Sequence, residues 1–347
     1  MRSKLLAIAA TIGIITGYNS AQAQSVESPD VKISLDWAFQ GPQSIFLYGA
    51  EQGEFKNRGI NVTIDRGSGS NDTITRVASG AYQFGWADIA TMLKFNAENP
   101  GKELIAVYVT GGASPLAVVT VDGRGIKTPK DLEGRKLGAT PGSAALALFD
   151  AFAASAGFDP KKVTWQNLSG ALREPMMVRG DVDAVAGFTT SSIMSVVELG
   201  TPLEKIVTLR YNDYGVKQYG TAIIVRPDYA EKNPKTVAAV ISAINASLKD
   251  AIINPKASVA AIKARDPLAN PVTECIRLTE GLQTLTLTDD FKKNGISTLN
   301  ADRMTASIKE TLDAFNIKST VPAEKVFNPA FLPSQTDRMP PTLGSCT

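Results

Sequence analysis

Ser79-Gly80-Ala81-Tyr82-Gln83-Phe84-Gly85-Trp86 is answered later in the chain by Arg179-Gly180-Asp181-Val182-Asp183-Ala184-Val185-Ala186-Gly187-Phe188. In both stretches a helical segment is closed by glycine, the residue favoured just past a helix end. A strand follows and finishes in small or aromatic residues. The likeness is one of pattern more than identity. It predicts two similar lobes, each with its own sheet.

The surroundings of each copy repeat too. Upstream of the first, residues 31–35 alternate apolar and polar as a strand, 45–56 read as a helix ending near Gly59, and 60–64 as a second strand. A glycine-serine turn, a helix over 72–79 and a strand over 82–86 complete a strand-helix-strand series. That series implies right-handed crossovers and a mostly parallel sheet. After strands at 104–109 and 115–121 the pattern restarts. Thr128-Pro129-Lys130-Asp131 reads as a boxed helix start, followed by a strand over 136–140, the turn Pro141-Gly142-Ser143 and an alanine-rich helix over 144–156. A strand over 163–166, a short helix over 174–179 and a strand over 182–187 finish the second unit.

Residues 219–226 form an apolar strand that carries the chain back to the first lobe. Asn233 and Pro234 open a long helix with Val237, Val240, Ile241, Ile244, Leu248 and Ile252 on one stripe. Further helices follow, the last with Met304, Ile308, Leu312 and Phe315. The expected organisation is a first lobe of 29–115 and 222–317, a second lobe of 116–221 inserted in it, and a proline-rich tail over 318–347.

The N-terminus reads as an address. Arg2 and Lys4 precede an apolar run from Leu5 to Ile15, and Ala21-Gln22-Ala23 supplies a small-x-small cleavage site. The run is well short of the ~20 residues that span a bilayer as a helix. Residues 1–23 are therefore expected to be a signal peptide, releasing a soluble periplasmic chain near Gln24, without membrane insertion.

The full chain has 36 Lys+Arg and 34 Asp+Glu, and loss of Arg2 and Lys4 with the leader leaves 34 against 34. That balance carries no footprint for nucleic acid. There is no histidine, which removes Ser-His-Asp and Cys-His nucleophiles and histidine-based metal sites. No G-x-S-x-G elbow or phosphate-binding G-x-x-x-x-G-K-[ST] loop is present. Neither a catalytic residue, a metal site nor a cofactor is expected. Cys275 and Cys346 are an even pair in an exported chain, expected as a disulfide that staples the tail to the last helical region. The other reading is two buried thiols.

Leu35-Asp36-Trp37, Glu51-Gln52-Gly53-Glu54-Phe55-Lys56, Gly59-Ile60-Asn61-Val62 and Lys130-Asp131-Leu132-Glu133-Gly134-Arg135-Lys136-Leu137-Gly138 resemble a known group. It is the nitrate/sulfonate/taurine and thiamine-pyrimidine family of periplasmic substrate-binding proteins of ABC transporters. Arg173-Glu174-Pro175-Met176 and Gly180-Asp181-Val182-Asp183-Ala184-Val185 extend the resemblance, which runs from residue 31 to about 255. It implies an α/β, two-lobed type II periplasmic-binding fold with mixed, mostly parallel sheets, a two-stranded hinge and here an extra helical C-terminal region. It also implies a monomer that delivers a small-molecule ligand to an inner-membrane ABC permease. A related pyrimidine synthase branch uses an essential histidine and a cysteine-rich motif, and this chain has neither. Pyrimidine-binding members follow the tryptophan with Pro-Asn and a histidine. Here Ala38-Phe39-Gln40-Gly41-Pro42-Gln43 stands instead, so the ligand class stays open.

In open α/β sheets, ligands bind beyond the carboxyl ends of the strands. Trp37, Phe39 and Gln40 follow the first strand, where the aromatic pair would stack on a planar ligand or simply pack the lobe. Gly69, Ser70, Asn71 and Thr73 open a helix in lobe one, and Gly142 and Ser143 open one in lobe two. Their N–H groups and helix dipoles favour an anion, unless they are only turns and caps. Trp86 and Asp88 end a strand of lobe one, Gly187 and Phe188 its counterpart in lobe two. Asp88 would meet a ligand donor or cap the next helix. Arg173, read at a helix start, would grip a carboxylate or sulfonate, or pair with Glu174. Tyr214 and Tyr219 flank the return crossover and would line the cleft near the hinge. The leading expectation is a carrier of a small organic anion of sulfonate or carboxylate type. The alternative is a pyrimidine-like heterocycle, and an exported enzyme or signalling module stands third.

Overall fold

The computed structural model describes residues 25–346 apart from 217, 316 and 319. The leader reading falls on residues outside that range. Along the first unit run β1 (Asp30–Ser34), α1 (Ser44–Glu51), β2 (Asn61–Asp65), α2 (Ser70–Ala78), β3 (Phe84–Asp88), α3 (Ile89–Glu98) and β4 (Ile105–Val109). The second contains β5 (Leu116–Val121), β6 (Lys136–Ala139), α4 (Ala144–Ala147), α5 (Phe149–Ala156), β7 (Thr164–Asn167), α6 (Gly170–Arg179), β8 (Ala184–Phe188), α7 (Thr189–Glu198) and β9 (Ile206–Arg210). The chain then returns through β10 (Thr221–Val225) to α8 (Pro227–Lys232), α9 (Pro234–Ile253), α10 (Pro255–Lys263), α11 (Pro271–Gly281), α12 (Asp289–Asn294) and α13 (Ala301–Ala314).

The two five-stranded sheets have orders β2-β1-β3-β10-β4 and β7-β6-β8-β5-β9. In the first, β1 is parallel to β2 and β3, and β10 runs antiparallel between β3 and β4. In the second, β6 is parallel to β7 and β8, and β5 runs antiparallel between β8 and β9. Each sheet thus carries one reversed strand in the same place, and that strand is where the chain enters or re-enters the sheet. This is the two-lobed mixed α/β arrangement that the repeated glycine-helix-strand pattern implied. Continuous apolar strands such as Leu116–Val121 and Thr221–Val225 are buried on both faces, as strands sandwiched by helices must be.

Two segments cross between the sheets, and they are bonded to each other. Gly111 donates its N–H to the Thr221 carbonyl (3.1 Å), and Gly220 donates to the Gly111 carbonyl (2.9 Å). A Cβ on Gly220 would sit 2.4 Å from the Ala113 carbonyl oxygen, so the approach needs glycine. Arg303 of α13 clamps both segments, donating to the carbonyls of Gly112 (2.7 Å) and Gln218 (3.2 Å).

Three helix readings change. The helix expected over 45–56 stops at Glu51, because Gly53 takes a left-handed conformation (φ +79°) and starts a new turn. The alanine-rich helix breaks at Leu148, whose φ −102°, ψ 8° lies outside helical geometry. The helix expected over 174–179 starts at Gly170, so Arg173 lies inside it rather than at its mouth.

The helical C-terminal region builds onto lobe one. The α9 stripe Val237, Val240, Ile241, Ile244, Leu248 and Ile252 is wholly buried, each such side chain contributing about 1.5–3 kcal/mol. The tail crosses the outer edge of β4, where Ala106 donates to Val326 and accepts from Asn328 (both 2.9 Å). It ends at a Cys275–Cys346 disulfide with Cα atoms 5.8 Å apart, fastening the tail to α11.

Candidate functional site

The carboxyl ends of β1, β3, β6 and β8 face one another across the gap between the sheets, and a cleft with two connected chambers lies there. The front chamber is lined by Trp37, Gln40, Gly69 and Ser70 from lobe one and by Ser143, Ala144, Arg173, Gly187 and Ser191 from lobe two. The rear chamber is more apolar, with Ile45, Trp86, Pro115, Leu278, Leu282 and Leu285. Asp36, Pro42, Gln43, Phe188 and Thr190 belong to both. Free volume is about 30 Å³ in front and 50 Å³ behind. Outside the front chamber a wider depression of about 630 Å³ opens between Trp37, Arg66, Ser169 and Glu198.

Arg173 is the buried cation of the front chamber. Its Nε and Nη2 both donate to Glu174 Oε1 (2.8 and 2.6 Å), Nη2 also donates to Ser192 Oγ (3.0 Å), and Nη1 reaches the Ala186 carbonyl at 3.4 Å. The guanidinium lies flat on Gly187, where a Cβ would come within 2.8 Å of it, and under the Trp37 ring at 5.3 Å. Of the two roles read for Arg173, the pairing with Glu174 is what the side chain makes here, and its guanidinium also borders the cavity. A fork with five N–H donors leaves Nη1 the least engaged arm.

Asp36 is the counterpart in lobe one. It is 3% exposed, and Gln43 Nε2 donates to its Oδ1 at 3.0 Å. Burial pushes the carboxyl up to about 7, against the pull of the Gln43 hydrogen bond, and the nearby Asp88 adds to the rise. Gln43 Oε1 has no hydrogen-bond partner among the described residues. This corner of the cleft thus offers acceptors, whereas the Arg173 side offers donors.

Several candidates sit elsewhere. Phe39 turns out of the cleft onto the lobe-one core, beneath the Arg265 guanidinium at 5.9 Å. Thr73 is buried under α2 and donates to the Leu35 carbonyl (2.8 Å), locking the helix to β1. Asn71 and Gly142 meet each other instead of facing the cavity, through Asn71 N–H to Gly142 O at 3.2 Å. Asp88 caps α3, accepting from Thr91 N and Oγ1 at 2.8 and 2.9 Å, and burial pushes it up to about 6. Its Oδ2 is unpartnered among the described residues, but Asp88 does not border either chamber. Tyr214 packs on Phe152 in the lobe-two core, and Tyr219 lies under Arg303 at 4.1 Å with its hydroxyl accepting from Asn300 N (2.9 Å). Tyr219 is buried and Tyr214 half-buried, and neither borders a chamber. Trp86 borders the rear chamber, and its indole donates to Thr110 Oγ1 (2.8 Å).

The residues missed by sequence reasoning are Asp36, Gln43, Thr190, Ser191 and the α11 region. Asp36 adjoins Trp37 at the end of β1 and carried the signal. The five-residue π-helical turn Leu282–Thr286 after α11 carried none, since it reaches the cleft only through the tertiary fold.

A family model described as "NMT1/THI5 like" matches residues 42–258. No curated protein sequence matches the chain. Among solved structures, the alkanesulfonate-binding protein SsuA from Xanthomonas axonopodis pv. citri, bound to MOPS, aligns with a TM-score of 0.68 at 17% identity, over 87% of this chain and 99% of that one. The periplasmic aliphatic sulphonate binding protein SsuA from Escherichia coli aligns with a TM-score of 0.63 at 19% identity, over 86% and 97%. The periplasmic nitrate-binding protein NrtA from Synechocystis PCC 6803 aligns with a TM-score of 0.65 at 12% identity, over 88% of each chain. At these identities the likeness is one of fold.

Proposed function

The chain belongs to the NMT1/THI5-like family and has the fold of periplasmic solute-binding proteins of ABC importers, and from this premise we propose that it captures a small organic anion between its lobes and delivers it to an inner-membrane permease. The observation that carries the ligand class is Arg173. A guanidinium held flat between Gly187 and Trp37 borders a cavity that also meets the first turn of α2 at Ser70. Helix N-termini and Arg forks both favour a sulfonate or carboxylate head. The apolar rear chamber suits an aliphatic or aromatic body. Glu174 already neutralises the charge, so the grip rests on directed donors more than on net charge.

The fold suggests a clamp that binds without turnover. Moving a mostly open population to a mostly closed one needs roughly 5 kcal/mol of differential affinity. A few charge-assisted hydrogen bonds, at about 1.5–3 kcal/mol each, supply it.

The second reading is a neutral amino-heterocycle, favoured by Asp36 and the unpartnered Gln43 Oε1, both acceptors available to ligand N–H groups. Calorimetric titration with alkanesulfonates, aromatic carboxylates and aminopyrimidines separates the two. Saturable sulfonate or carboxylate binding is expected, lost in the paired variant Arg173→Met with Glu174→Gln, which removes both charges together. Binding confined to aminopyrimidines would replace the anion reading. Chemical turnover of a bound compound would end the carrier reading.

A further inference from the structure

Arg277 lies on α11 of lobe one, 1% exposed and outside both chambers. Its Nη1 donates across the cleft to the carbonyls of Thr190 (3.1 Å) and Ser191 (2.7 Å), and its Nη2 meets Glu198 Oε2 at 3.5 Å. All three partners belong to α7 of lobe two. Within its own lobe its ion-pair partner is Glu274, whose Oε2 is 3.1 Å from Nε but off the line of a hydrogen bond. That same Oε2 accepts from Gly41 N at 2.5 Å, at the start of the turn that carries Pro42 and Gln43 into the cavity wall. Thr190 and Ser191 are cavity wall on the other side. One network therefore ties both walls together behind the ligand space.

From this geometry we propose that Arg277 is a closure latch, a positioning residue whose bonds to lobe two form when the lobes close and hold the cavity shut. A buried guanidinium must have its N–H groups satisfied. Here Nη1 and Nη2 find their partners in lobe two while Nε keeps only its ion pair with Glu274, and parting the lobes hands the two Nη groups to water. Because the latch touches no ligand atom, it shifts the open-closed balance by the same factor for every ligand. It rests on the clamp reading above but not on the ligand class.

The test places spin labels at Lys161→Cys in lobe two and Lys256→Cys in lobe one, both exposed, with the native cysteines held in their disulfide. Interlobe distance distributions are recorded with the protein alone and with the sulfonate MOPS, on the original Arg277, on Arg277→Gln, Arg277→Lys and Glu198→Gln. The original protein is expected to populate a compact separation. Arg277→Gln should lower the compact-to-open ratio about ten-fold, as the loss of one charge-assisted bond would, with Arg277→Lys and Glu198→Gln falling between. Distributions identical to the original in folded Arg277→Gln would overturn the latch. Should that variant fail to fold, identical distributions in the other two would overturn it equally. A single unchanging separation in the original protein under both conditions, with MOPS binding established by calorimetry, would remove the clamp itself, and the latch with it.

Discussion

Asn71 donates its backbone N–H to the carbonyl of Gly142, 3.2 Å away, joining the first turn of α2 in lobe one to the tight turn before α4 in lobe two. The contact is possible because Gly69 holds φ +137°, ψ 155°, a conformation open almost only to glycine. A Cβ on Gly69 would lie 2.7 Å from the Gly142 carbonyl oxygen. The two loops meet as bare backbone, and the cavity is sealed there.

Gly69→Ala is expected to prop the lobes apart. Ligand affinity should fall ten-fold or more by calorimetry, while thermal melts show a loss of roughly 1–3 kcal/mol from backbone strain. Unchanged affinity would mean that the seal is irrelevant to binding.

The acid-base behaviour of Asp36 gives a second expectation. Its carboxyl stands at about 7 in the fold against 3.8 ordinarily, and Asp88 at about 6. Between pH 4 and 7 the folded chain keeps protons that the unfolded chain has released. Raising pH through that window therefore favours unfolding. The melting temperature should decline from pH 4.5 to 7.5, and Asp36→Asn should flatten the upper part of the decline. Binding follows the same group. An anion beside Asp36 favours its protonated form, so anion affinity should weaken above about pH 7, whereas a ligand donating N–H to the carboxylate should bind more tightly there.

Much of the fold was legible because strands and glycine turns are local signals. Gly80 and Gly180 close α2 and α6, and β3 and β8 follow at matching positions in their sheets. Trp37, Ser70 and Ser143 reach the cavity because strand ends and helix starts are where such folds converge, while Arg173 reaches it from within α6. What stayed hidden depends on distant partners. Phe39 and Tyr219 are aromatic residues at the right place in the chain, yet arginines 265 and 303 and the helical C-terminal region draw them into packing. Leu278 and Leu282 carry no local signal of a role in the cleft, and only the docking of α11 against α7 makes them part of its wall.

The disulfide should matter for stability. Cys275 and Cys346 are 71 residues apart, and a closed loop of that length constrains the unfolded chain by about 4 kcal/mol on the chain-entropy estimate. Cys275→Ser with Cys346→Ser should lower the melting temperature markedly. Since α11 carries Leu278 and Arg277, affinity should weaken as well, by less than in Arg277→Gln. A pair of serines that melts like the original would show that the tail holds α11 without the covalent link.

The deciding measurement is small-angle scattering on the protein titrated with a sulfonate or carboxylate that calorimetry has shown to bind. If the two sheet-bearing halves swing together around such a compound, the radius of gyration must shrink as sites fill, in step with the heat released. Full occupancy with an unaltered scattering curve would contradict that picture.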